Sequence, residues 1–128
     1  MTGKTQWLLV FPWEFVVAQN EILCRAKNAH HGPTSDGHAE AMSFWEQQRQ
    51  REMDLFEAIE TCRKCHRIAP FTNFNGNTFS AIARVLVKRL NLDFTQESIT
   101  RSLVGHIVAG VASEEEVQAF RKFCDNLE

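Results

Sequence analysis

Residues 38–65, HAEAMSFWEQQRQREMDLFEAIETCRKC, contain neither glycine nor proline and are rich in Glu, Gln, Arg, Ala and Met. Such side chains lose little rotamer freedom in a helix, so the stretch predicts one long central helix. Met42, Trp45, Met53, Phe56, Ile59 and Cys62 mark its apolar face, but the polar run Glu46 to Glu52 interrupts that stripe. The gap requires either an exposed middle or a polar partner packed against it.

Working towards the N-terminus, His30 to Gly37 reads as a loop on its turn chemistry, the most flexible stretch of the chain. Before it, Val16, Val17, Asn20, Leu23 and Cys24 suit a helix from Trp13 to about Asn28, started by Pro12 and preceded by a short extended piece at Trp7 to Phe11. Towards the C-terminus, Pro70 and the Asn-rich run Thr72 to Asn77 form a second loop, with Asn77 or Thr78 placed to cap a helix over Thr78 to about Leu92. A further helix spans Thr95 to about Val111, where Gly105 and Gly110 allow a neighbour to come close. Ser113 and Glu116 stand at capping-box spacing before a last helix carrying Val117, Phe120, Cys124 and Leu127. The expected fold is all-α: one domain over residues 1–128, a bundle of about five helices with one long central helix.

A chain of 128 residues with 44% hydrophobic and 23% charged side chains is long enough to bury a core without staples. The formal charge of -2 disfavours broad binding to nucleic acid, although Arg84, Lys88 and Arg89 cluster on one helix as a local basic strip. No apolar run approaches the roughly 20 residues that cross a bilayer, so a non-membrane, cytoplasmic protein is expected. In that setting Cys24, Cys62, Cys65 and Cys124 are read as free thiols.

Cys62-Arg63-Lys64-Cys65-His66 is the sharpest local pattern. Its Cys-x-x-Cys-His form is the spacing of covalent haem attachment, but that chemistry follows export and the chain shows no good export signal. A redox pair is disfavoured because the cysteines fall near a helix C-terminus, where the dipole opposes thiolate formation. Zinc suits the pattern better, since residues at i, i+3 and i+4 face one direction from a single turn. A fourth donor would come from Cys24, Cys124, another copy or water; an unbroken helix of about 42 Å keeps His38 out of reach. The plainer reading has Cys62 buried and His66 capping the last carbonyls. His30, His31 and His38, with Asp36, form a second cluster, read as a solvated loop in preference to a metal site.

Arg101 to His106 has the Arg-x4-His form and resembles the motif of HEPN ribonucleases, small helical bundles in which Arg and His cleave RNA across a dimer interface. The two residues stand about 140° apart around a helix, which favours a solvated Arg101 and a packed His106. Pro70-Phe71 and Asn75-Gly76-Asn77-Thr78 faintly resemble the phosphate-cradling loop of Fic AMP-transferases. The His-Pro-Phe start and Gly-Asn-Gly-Arg core are absent, and with them that family's base and phosphate anchor. Backbone amides at Gly76 to Thr78 can still hold an anion, though helix capping accounts for the same residue types.

These readings leave a small helical protein without a catalytic constellation, working by binding a protein partner and also itself as a homodimer. Trp7, Trp13, Phe15, Phe71 and Phe74 are either anchors for such a partner or buried by loops folded over the bundle. A zinc protein using Cys62, Cys65 and His66, or a HEPN-like ribonuclease using Arg101 and His106, is the alternative from a different class.

Overall fold

The computed structural model describes residues 4–127 and is all-α, with no strand among them. Six helices follow in order: α1 (Trp13–Ala26), α2 (His38–Arg49), α3 (Leu55–Ile68), α4 (Asn75–Lys88), α5 (Phe94–Ala109) and α6 (Glu114–Asp125). α3 is the centre, packed on α2, α4, α5 and α6, and α1 lies across α4 and α2. Its wide buried face carries Phe56, Ile59, Cys62 and Cys65, and Phe56 stacks on Phe120 of α6 with ring centroids 5.9 Å apart.

The expected long helix is two helices. Asp54 caps α3 by accepting the Glu57 backbone N–H at 2.8 Å, while the Glu57 carboxylate takes the Asp54 N–H at 3.0 Å. This reciprocal pairing satisfies orphan donors and starts a new helix without any glycine or proline. Between α2 and α3, Met53 forms an isolated antiparallel bridge with Thr5. The chain therefore folds back. Gly37 at the head of α2 lies against the foot of α3, where a Cβ would sit 2.5 Å from the Ile68 carbonyl oxygen and 2.6 Å from that of Ala69. His38 is thus at the same end of the bundle as Cys65, not a helix length away.

The polar gap of α2 has a polar partner. Glu46 accepts the Trp13 backbone N–H at the start of α1, 2.9 Å away, where a carboxylate also suits the helix dipole. Arg49 bridges Glu46 at 2.7 Å and donates to the Leu9 carbonyl at 2.6 Å. Residues 7–10 form a turn, not an extended piece.

The loop between α1 and α2, expected to be flexible and solvated, is fastened to the loop between α3 and α4. Thr34 N–H donates to the Pro70 carbonyl, Thr72 N–H to Gly32 and the Asn73 side chain to His30. Beneath both loops lies Asn20 of α1, fully buried. Its Nδ2 donates to the Asn73 carbonyl at 2.8 Å and to Thr78 Oγ1 at 3.0 Å, and its Oδ1 accepts from His31 Nδ1 at 2.8 Å and Cys24 Sγ at 3.5 Å. Every donor and acceptor of the amide is used. Above it Phe71 is buried, stacked on Trp13 at 5.8 Å and edged by His38 at 5.8 Å. Trp13 and Phe71 are therefore core, Trp7 and Phe74 are half-buried, and Phe15 is exposed.

Asn20→Ala is expected to cost about 1–3 kcal/mol, because the partners of a deleted buried amide are left unsatisfied. Urea unfolding measures it; a loss below about 0.5 kcal/mol, the scale of a neutral surface change, would show that the amide does not hold the loops.

Candidate functional site

The chemistry-bearing side chains converge on a cleft of about 680 Å³ between α3, α4 and α5, lined by His66, Asn77, Ser80, Arg84 and His106. Its floor is the first turn of α4, Asn75 to Asn77. Phe74 precedes that turn in the left-handed region, φ 60°, and no side chain caps the helix. Asn75 is engaged backwards: its amide accepts the Phe71 N–H at 2.9 Å and donates to the Phe71 carbonyl at 2.8 Å, closing the turn. Thr78, expected to cap the helix from its front, sits inside it and donates to the Phe74 carbonyl at 2.8 Å. The first-turn amides consequently keep the positive end of the α4 dipole open to the cleft.

His66 stands at the α3 end of this turn. Its Nδ1 lies 2.7 Å from the Val108 carbonyl, which only accepts, so Nδ1 carries the proton. Val108 is in the last turn of α5, where carbonyls lack helical partners; His66 caps α5, not its own helix. The other edge of the ring rests on Gly76, where a Cβ would meet Cε1 at 3.1 Å and Nε2 at 3.2 Å. A side chain at residue 76 would push the imidazole away.

Across the cleft, His106 pairs through Nδ1 with Glu116 Oε2 at 2.7 Å, leaving Nε2 free. This hydrogen bond, with a second from the Ser113 backbone, holds the Glu116 carboxyl below its usual range. Arg84 completes the group. Its Nη2 would lie 2.7 Å from a Cβ on Gly105, so the absent side chain lets the guanidinium lie across α5. The close approach expected at Gly105 is that of an arginine head. Gly110, expected inside the same helix, instead ends it with φ 80°.

Cys62 and Cys65, expected to join His66 as metal ligands, do not line this cleft. Cys62 and Cys65 are both fully buried in the core, while His66 turns to α5. Among the described residues no three His, Cys, Asp or Glu side chains are grouped as a metal site. Desolvation raises the Cys62 thiol, and it pushes Cys65 up to about 12 against the lowering influence of Lys64. Cys124 also reaches about 12, through burial first and then the charges of Asp54 and Asp125. All four cysteines are free. Arg101 pairs with Glu97 at 3.8 Å, and it does not line the cleft that holds His106. His31 and His38 serve the buried loop cluster; His38 lies 3.4 Å from the Trp13 indole nitrogen. Arg63, Lys64 and Arg67 line a groove with Glu40 and Glu60, so its charges are mixed.

Buried thiols that keep their protons make the fold sensitive to alkali. The unfolded chain releases them near pH 8.5, so stability is full below about that value and falls as pH rises towards the folded values. Urea unfolding from pH 7 to 10 tests this, and iodoacetamide at pH 8 is expected to leave Cys62 and Cys65 unmodified until denaturant is added. Modification of either in the folded protein would contradict their burial. Set against protein-family models, curated proteins and solved structures, the chain finds no match, so the functional reading rests on this geometry.

Proposed function

We propose that this chain is a small helical binding protein whose ligand carries a phosphoryl group, held in the cleft between α3, α4 and α5. One observation carries the reading: His66, Arg84 and His106 all line the cleft at the uncapped first turn of α4. An anion there gains the backbone amides and dipole of α4 together with charge-assisted hydrogen bonds from a guanidinium. The imidazoles are held by their Nδ1 atoms, which fixes the rings before a ligand arrives. Such preorganisation limits the entropy lost on binding.

The probes are inorganic phosphate and uridine monophosphate, followed by calorimetry or amide chemical shifts. Saturable binding in the millimolar range or tighter is expected, with shifts at Gly76 and Asn77. Arg84→Gln is expected to weaken it about 10- to 100-fold, the value of a hydrogen bond to a charged group. Gly105→Ala weakens it through the displaced guanidinium while the melting temperature stays level or rises. Absence of saturable binding, or binding indifferent to both variants, would overturn the reading.

A second reading keeps a protein partner, here another copy of the chain. Phe15, Ala18 and Ile22 recur along the outer face of α1, and Ile22 is 60% exposed. Self-association through this face predicts a concentration-dependent dimer in sedimentation equilibrium, abolished by Ile22→Glu. A monomer at all concentrations would dispose of it.

A further inference from the structure

The cleft does not end at Arg84. Ala81 and Arg84 also line the next depression along α4, together with Lys88 and Arg101, and Arg101 in turn lines a third with Phe94 and Glu97. Shared residues place the three side by side, the first two along α4 and the third on the outer face of α5. From Asn77 to Lys88 the path follows α4 for about 16 Å at the helical rise.

Its chemistry changes along the way. Hydrogen-bonding groups crowd the His66 end, Arg84, Lys88 and Arg101 follow at intervals, and Phe94 stands at the far end, 88% exposed. Phe94 is the first residue of α5, where no core packing requires an aromatic ring. Among the acidic groups near this path, Asp93 caps α5 by accepting the Gln96 N–H, Glu116 is paired with His106, and Glu97, which lines the third depression, faces Arg101 at 3.8 Å in an exposed pair that a phosphate would displace.

A row of cations that tracks a backbone, ending in an exposed aromatic face, is the pattern that binds single-stranded nucleic acid without sequence readout. A lone phosphorylated metabolite would use only the His66 end. We infer that the ligand of this groove is a single-stranded oligonucleotide, with one phosphate in the cleft, the following phosphates against Lys88 and Arg101, and a base stacked on Phe94. This assignment rests on the phosphoryl-binding reading of the cleft and extends it along α4 and α5. The chain's charge of -2 is no obstacle, because the contact is made by local cations.

The test compares uridine monophosphate with an oligouridylate of about ten residues, within the usual site sizes of about 4–16 nucleotides for such surfaces. The oligomer is expected to bind more tightly, its affinity falling with salt at a logarithmic slope of about -2 for three phosphates neutralised. Lys88→Gln combined with Arg101→Gln makes that slope shallower by about 1.4. Phe94→Ala weakens the oligomer about 5- to 150-fold, the value of one stacked base. All three changes lie outside the cleft and leave binding of the monophosphate unchanged. An oligomer that binds no better than the monophosphate, or that ignores these variants, overturns the inference and leaves the cleft reading intact. Failure of both ligands overturns both. Equal competition by a polyglutamate of the same length also overturns it, since the groove would then read charge alone.

Discussion

The buried amide of Asn20 is the constraint on which the cleft end of the molecule depends. A primary amide removed from water costs several kcal/mol unless its hydrogen bonds are replaced, and here they are replaced by Asn73, Thr78 and His31 from outside α1 and by Cys24 one turn along it. Through Thr78 and the Asn73 carbonyl it fixes the start of α4, and through His31 it fixes the loop that follows α1. Two loops that would otherwise be mobile become one layer. The cleft inherits that rigidity, because its floor is the turn of α4 that Asn20 holds.

The open first turn of α4 follows from how the preceding loop is closed. Asn75 clasps both backbone groups of Phe71, so the side chain best placed to serve the helix start is already engaged. Phe74 adopts a left-handed conformation that usually falls to glycine or asparagine and costs a bulky residue of order 1 kcal/mol or more. The chain tolerates this because Asn75 and Asn20 secure the backbone on either side. At the opposite pole, His66 covers a terminal carbonyl of α5, blunting the negative end of that dipole beside the cleft.

The bundle was legible because its cores are periodic and its caps local. Ser113 and Glu116 announce α6 by their spacing, and the structure contains both halves of that capping box. The same signal, Asp54 and Glu57, lies inside the run of good helix formers and divides it, so propensity alone joined what capping separates. Once α2 and α3 are read as a hairpin, the polar stretch at Glu46 and Arg49 also has a reason: it holds the N-terminal turn. The cleft was less legible. That amides near Gly76 could hold an anion is visible in residue types, but the pairings of Gly76 with His66 and of Gly105 with Arg84 join different helices. A glycine that makes room for a particular side chain looks, in sequence, like any other glycine in a helix.

Net charge averages over side chains whose charges are unevenly distributed and partly paired. Acidic side chains outnumber basic ones across the chain, yet several are held at helix starts or in pairs, as Glu46, Glu57, Asp93 and Glu116 show. At physiological ionic strength, potentials decay over about 8 Å, so a ligand seated in the groove responds to what lies within a side chain's length. In the proposed site it would meet Arg84 and Lys88 from α4, Arg101 from α5 and the amide end of α4 at the head. Distant carboxylates act on the approach of a polyanion far more than on its seated state.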